Sequence, residues 1–141
     1  MRDGITFNAT VYKPVDMQEP LPVIFTMTPY IADNYHDRAM YFSRHGYVFA
    51  LVDVRGRGNS GGEFKPYAND VRDGHDAVEW LAQQSWCNGK VAMWGGSYAG
   101  FNQWVTLKES PPHLMTIVPA AFLCKAPHFP RGASRSVCAS A

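Results

Sequence analysis

Residues 95–100 read Gly-Gly-Ser-Tyr-Ala-Gly and directly follow the apolar run at 91–94. Helical spacing of apolar residues resumes at Phe101, Trp104 and Val105. A serine on a sharp turn between a strand and a helix has its hydroxyl lifted clear of the sheet. Glycines flank such a turn because a Cβ there would meet the strand or the helix. The helix N-terminus beneath supplies free N–H groups and partial positive charge, both of which favour an oxyanion beside the serine. The chemistry implied is attack of the Ser97 hydroxyl on an acyl carbonyl. The strict G-x-S-x-G pattern is not met: Ala99 stands at its last glycine, and Gly100 follows one later. The same residues also describe a glycine-rich strand-to-helix turn with an incidental serine.

The elements that must position this turn follow from hydrophobic periodicity. Ile5, Phe7, Ala9 and Val11 alternate with polar residues, predicting a half-buried strand over 5–12. Continuous apolar runs predict buried strands over 23–28, 47–53 and 90–95, and Ile117-Val118 begins one more. Helices are predicted over 33–45, 69–84 and 98–108. Asp33 or Asn34 is expected to cap the first and Asn69 or Asp70 the second, with Asp70 and Asp73 in its first turn. Val71, His75, Val78 and Leu81 fall at helical spacing in it, and Asn88-Gly89 is a turn signal before the elbow strand. Strands alternating with helices imply an α/β fold, a mostly parallel sheet with flanking helices. Ligands of such sheets lie beyond the carboxyl ends of the strands. Three loops meet that condition and should converge: 28–30, 53–62 and the Ser97 turn.

Other signals are weaker or exclude function. Gly56, Gly58 and Gly61 spell G-x-G-x-x-G, the pattern of a dinucleotide-binding loop. That loop should open a helix at once, whereas Gly62 and Pro66 follow and the helix waits until about Asn69. A nucleotide-dependent oxidoreductase is disfavoured on that ground. The expected role is structural, with Asp53 and Arg55 bracing loops beside the elbow. His36, His45 and His75 show no i, i+4 metal spacing, and Trp80, Trp86, Trp94 and Trp104 are expected in the core or at helix contacts. Cys87, Cys124 and Cys138 form no C-x-x-C pattern and read as free thiols. A formal net charge of +1 with no basic stripe argues against a nucleic-acid partner. No apolar run reaches the roughly 20 residues of a membrane span. No signal-peptide core follows Met1, so a cytoplasmic location is expected.

The sequence resembles the α/β-hydrolase family of cocaine esterase, X-Pro dipeptidyl peptidase and the α-amino-acid ester hydrolases. The resemblance rests on the opening Met1-Arg2-Asp3-Gly4, Thr28-Pro29-Tyr30, the stretch 53–61, Trp86-Cys87-Asn88-Gly89-Lys90-Val91 and the Ser97 turn. The family's own elbow is G-x-S-Y-x-G, so Ala99 is no departure from it. The resemblance implies Ser97 as nucleophile, the Tyr98 backbone N–H as one oxyanion donor and the Tyr30 hydroxyl as the other, with no cofactor and no metal. The implied partner is a small-molecule ester or peptide substrate.

The resemblance covers residues 1–121, the N-terminal part of such a domain. Residues 122–141 hold Lys125, Arg131 and Arg135 with no acid and are left unassigned; a frame change or premature end is the favoured expectation and a short basic tail the alternative. The family's triad continues with an acid and then a histidine. After Ser97 the chain offers Glu109, His113 and His128. Glu109 and His113 fall about 18 Å or more along a helix from the elbow, which excludes them from its chemistry. The expectation is therefore a serine hydrolase by family that is inactive as this isolated chain and prone to self-associate through exposed apolar surface. The alternative is a non-catalytic fragment or binding module that keeps only the fold.

Overall fold

The structure, a computed structural model, describes residues 1–30 and 35–120. Five strands form one sheet: β1 (Ala9–Tyr12), β2 (Leu21–Thr28), β3 (Val48–Asp53), β4 (Cys87–Gly96) and β5 (Leu114–Ala120). Their order is β1-β3-β2-β4-β5. Only β1 runs antiparallel to its neighbour; the β3–β2, β2–β4 and β4–β5 pairs are parallel. Helices α1 (His36–Arg44), α2 (Asp70–Ala82) and α3 (Tyr98–Thr106) connect them, and a short 3₁₀ turn, Leu107–Glu109, extends α3. This is part of an α/β-hydrolase fold, with the mostly parallel sheet and flanking helices that the periodicity predicts.

Strand alternation splits β3 between two cores. Val48, Ala50 and Val52 join Val23, Phe25, Met27, Val91 and Met93 under α2 and α3. Phe49 and Leu51 point the other way, with Ala39 of α1 and the half-buried Phe42 and Trp94. The Phe42 and Phe49 rings stack at 5.3 Å. Both faces of β3 are thus buried, as its unbroken apolar run requires.

Several local expectations change. The first strand is shorter than 5–12 because residues 6–8 pair with the glycine loop instead. Gly61 N–H donates to the Thr6 carbonyl (2.8 Å), Asn8 N–H to Ser60 Oγ (2.9 Å) and Asp53 N–H to the Asn8 carbonyl (3.1 Å). Asn88-Gly89 is not a turn before β4 but an irregularity within it. Leu21 pairs Cys87 while Val23 pairs Val91, so β4 spends two extra residues there. On α2 the buried face is Asp70, Asp73, Gly74, Ala77, Val78 and Leu81, so His75 and Val71 stand off it. Asn69 sits at the cap position without a side-chain cap bond. Trp80 is 49% exposed rather than in the core. Asp33, Asn34, Cys124, Cys138 and the tail 122–141 lie outside the described residues. Cys87 is a buried free thiol.

Two aspartates on a buried helix face demand partners. Arg55 supplies one by a two-pronged bond to Asp73, with Nε 2.9 Å from Oδ2, and it also reaches Asp3 at 2.7 Å. These bonds hold the guanidinium protonated more firmly than usual, Asp73 contributing most. Gly58, at φ 53°, lets the loop fold onto Asp53, whose carboxylate a Cβ would overlap; that carboxylate accepts from Asn8 Nδ2 at 3.0 Å. The glycines therefore serve a tight loop tied to β1, β3 and α2, with no helix N-terminus at its end.

Gly74 marks a close approach of α2 to α3, where an added Cβ would overlap Thr106 Oγ1 and lie 2.9 Å from Thr106 Cβ. A Gly→Ala change inside a helix ordinarily stabilises by about 1 kcal/mol. Here overpacking outweighs that gain, and Gly74→Ala is expected to cost about 1–3 kcal/mol. Urea unfolding midpoints decide it; a stabilised variant would mean the helices are not in contact there.

Asp70 yields a pH prediction. Burial raises its carboxyl above the ordinary range, against the opposing bond from Tyr98. A raised folded pKa means a stability contribution present below the unfolded value of about 4 and lost as pH rises through the folded value. The thermal stability of Asp70→Asn relative to the natural chain should therefore grow as pH rises above about 4. A difference that shrinks over that window would contradict the burial of this carboxylate.

Candidate active site

Strand β4 lies between β2 and β5, and its end carries the glycine pair into α3. Gly95 has φ 144°, and a Cβ on it would sit 2.8 Å from Ala99 Cβ; one on Gly96 would sit 3.0 Å from the Ala120 carbonyl oxygen. Ser97 follows at φ 54°, ψ −121°, a sparsely populated region for a residue with a side chain. Its N–H donates to the Ala120 carbonyl (3.2 Å), and its carbonyl accepts from Gly100 and Phe101 N–H (3.0 Å each). Ser97 is exposed while Tyr98, Ala99 and Gly100 are buried. The turn thus presents Ser97 to solvent ahead of a buried helix start.

Tyr30, two residues past the end of β2, brings its hydroxyl to 3.2 Å from Ser97 Oγ. Its N–H is tied to Thr28 Oγ1 at 3.1 Å, which fixes the loop as it leaves the sheet. Tyr98 is the first residue of α3, so its N–H has no intrahelical acceptor and points with the positive end of the helix. The two loops that leave β2 and β4 meet at Ser97. The 53–62 loop is joined through Arg55 and Asp73 to α2.

Polar residues that the motif reading passed over hold the turn in place. Gln103 Nε2 donates to the carbonyls of Gly95 (3.0 Å) and Ala99 (2.7 Å), while its Oε1 accepts from Val118 N–H (2.9 Å). One buried amide thus binds β4, α3 and β5 together. Thr26 Oγ1 donates to the Trp94 carbonyl at 2.6 Å, and Asn102 Nδ2 donates to the Met27 carbonyl. The Tyr98 hydroxyl donates to Asp70 Oδ2 at 2.9 Å and accepts from Tyr67 N–H at 3.1 Å. Burial, then the neighbouring carboxylate, pushes the Tyr98 phenol well above its usual range. The available signal was Asn102-Gln103 in an apolar helix: amides at core positions need buried partners.

The remaining acids and histidines are engaged elsewhere. Glu109 accepts from Arg2 at 3.0 Å. His113 precedes β5, at the end opposite Ala120, with Nδ1 2.8 Å from Glu79 Oε2. His75 contacts Arg2, His36 the Tyr12 hydroxyl and His45 the Tyr41 carbonyl. None of these bonds involves Ser97, and His128 lies outside the described residues. Among the described residues no group of three His, Cys, Asp or Glu is placed to hold a metal ion, and no helix is long and apolar enough to cross a membrane.

Comparison with known proteins shows the family to which the chain belongs. Residues 3–136 match the model of the X-Pro dipeptidyl-peptidase (S15) family, a span that continues past Ala121. Cocaine esterase of Rhodococcus sp. (strain MB1 Bresler) is 35% identical over 148 aligned positions, covering 97% of this chain and 25% of that protein. Among solved structures, an α-amino acid ester hydrolase superposes with TM-score 0.75 at 28% identity, over 85% of this chain and 24% of that one. A CocE/NonD family hydrolase from Staphylococcus aureus gives TM-score 0.75 at 26% identity, over 83% and 25%. The chain thus spans about a quarter of the length of these relatives. From the opening Asp3 through the Ser97 turn and beyond, the chain belongs to the X-Pro dipeptidyl-peptidase (S15) family.

Proposed function

We propose that this chain carries the nucleophile and oxyanion side of a serine hydrolase acting on ester or peptide acyl bonds, of the X-Pro dipeptidyl-peptidase or cocaine-esterase kind. The observation that carries the reading is the Tyr30 hydroxyl 3.2 Å from Oγ of a strained, exposed serine at a helix N-terminus. Ser97 Oγ would attack the substrate carbonyl carbon, and its proton must pass to a base. The carbonyl electron pair would move onto oxygen, where the Tyr98 N–H and Tyr30 O–H donate to it. Collapse of that intermediate would expel the alcohol or amine, and water would then release the acyl group from Ser97.

The base decides the rate. A hydroxyl without a base is a weak nucleophile at neutral pH, and no described histidine contacts Ser97. The isolated chain is therefore expected to hydrolyse p-nitrophenyl acetate slowly, with the modest catalysis over water, ~10³–10⁴-fold at most, that a site keeps after losing a triad member. The same observation favours the second reading, a non-catalytic module that keeps only the fold.

An equilibrium test separates the two without needing turnover. Phenylboronic acid becomes tetrahedral when Ser97 Oγ adds to boron and its proton passes to the buffer, and one of boron's own hydroxyl oxygens then occupies the oxyanion position. At neutral pH the natural chain is expected to form this adduct by boron-11 NMR, and Ser97→Ala to form none. Tyr30→Phe should weaken it about tenfold, the worth of one directed hydrogen bond. No adduct on the natural chain would overturn the nucleophile reading. Rapid, Ser97-dependent ester turnover would instead overturn the expectation of a slow chain and show that a base reaches the elbow.

A further inference from the structure

We infer that the Tyr98 side chain is a positioning residue for its own backbone N–H, anchored by a buried bond to Asp70 at the start of α2 and by the N–H of Tyr67. The inference rests on the reading of Ser97 and the Tyr98 N–H just given, and it assigns a role to a pair of residues on another element.

Three observations converge on the Tyr98 hydroxyl. First, Tyr98 and Asp70 are 7% and 5% exposed, and the phenol donates to the carboxylate at 2.9 Å. A carboxylate is costly in such a place unless it receives hydrogen bonds. Asp70 is the first residue of α2 and not its cap, so helix capping does not account for its burial. Second, Tyr67 holds φ 65°, a conformation that costs a bulky residue free energy and persists only where its surroundings over-determine it. That conformation delivers the Tyr67 N–H to the Tyr98 oxygen at 3.1 Å. Third, the Tyr67 ring covers the anchor: it stacks on Tyr98 at 4.9 Å and meets Phe101 edge-on at 4.6 Å.

A ring that only filled space would need none of this; phenylalanine fills the same volume. Here the phenol is a strut fixed at its far end, and its near end is the residue whose N–H faces the substrate. The direction of that N–H follows from ψ of Ser97 and φ of Tyr98. Those angles are held from below by Gln103 and the Gly95 carbonyl. The strut holds them from the α2 side. Neither Asp70 nor Tyr67 touches Ser97 through any described bond, so their effect passes through Tyr98.

The test uses the full chain, phenylboronic acid and nitrogen-15 labelling. In the natural chain the residue-98 amide proton should move downfield as the adduct forms, because it donates to the boronate oxygen. Tyr98→Phe should bind about tenfold more weakly, with a smaller shift of that amide. It also orphans a buried carboxylate, so lost stability could mimic lost positioning. The double variant Tyr98→Phe/Asp70→Leu removes the phenol and the carboxylate together and leaves only the Tyr67 N–H without its acceptor. Its melting temperature should recover in part while its boronate affinity stays low. Asp70→Asn keeps an acceptor for the phenol and should keep the affinity. The proposal is overturned if Tyr98→Phe binds as tightly as the natural chain, or if the double variant regains affinity along with stability. Absence of an adduct on the natural chain would bring down the Ser97 reading and this one together, whereas an adduct indifferent to residue 98 would bring down this one alone.

Discussion

Ser97 occupies a backbone conformation that an L-residue with a side chain adopts only under constraint, and the rest of the described fold can be read as that constraint. A residue held in such a region costs about 1–3 kcal/mol. It is maintained by a strand that cannot shift, a helix that cannot rotate and glycines that leave room for both. Strand β4 is flanked on both sides by parallel partners. Helix α3 is fastened to its end by the Ser97 carbonyl bonds and by Gln103. With the backbone so fixed, Ser97 is exposed between the half-buried Gly96 and the buried Tyr98.

The same constraint explains the concentration of polar side chains beneath the turn. Thr26, Asn102, Gln103, Asp70 and Asp73 are all buried beside an apolar core. Each except Asn102 Oδ1 spends its polar atoms on a named partner, and Thr106 Oγ1 is the other buried atom without one among the described residues. Satisfied buried networks specify one arrangement more sharply than apolar packing, because a slipped register leaves polar atoms unpaired. An apolar core alone would let α3 slide by a fraction of a turn. The Gln103 amide, bonded to β4, α3 and β5, does not.

Away from Ser97, the acid and histidine that follow it in sequence are paired with other side chains. His113 is clamped to Glu79, Glu109 to Arg2, and Arg2 to Asp76. These pairs lie in partly exposed positions where each contributes little alone. They show why an acid and a histidine downstream of a serine in sequence are not thereby its catalytic partners. A parallel strand and its preceding helix run in opposite directions, so a helix that starts at the carboxyl edge of the sheet delivers its last residues to the far edge.

Element type, element order and the Ser97 turn were legible in the sequence, because hydrophobic period and the glycine pattern are local properties. Residues 91–100 announce a strand, a turn and a helix without reference to any other part of the chain. The buried face of α2 differs from the spacing of Val71, His75, Val78 and Leu81, because Asp70 and Asp73 are buried against Tyr98 and Arg55, which arrive from elsewhere. The Asn88-Gly89 irregularity was misread as a turn because only its pairing with β2 makes it part of a strand. The meeting of Tyr30 with Ser97 was inferable from strand ends but not measurable. Their 3.2 Å separation depends on β2 lying beside β4, a pairing between residues far apart in sequence. Local spacing determined which groups could act; only tertiary pairing decided which of them meet, because distance between side chains on different elements is set by register and burial, not by the order of residues along the chain.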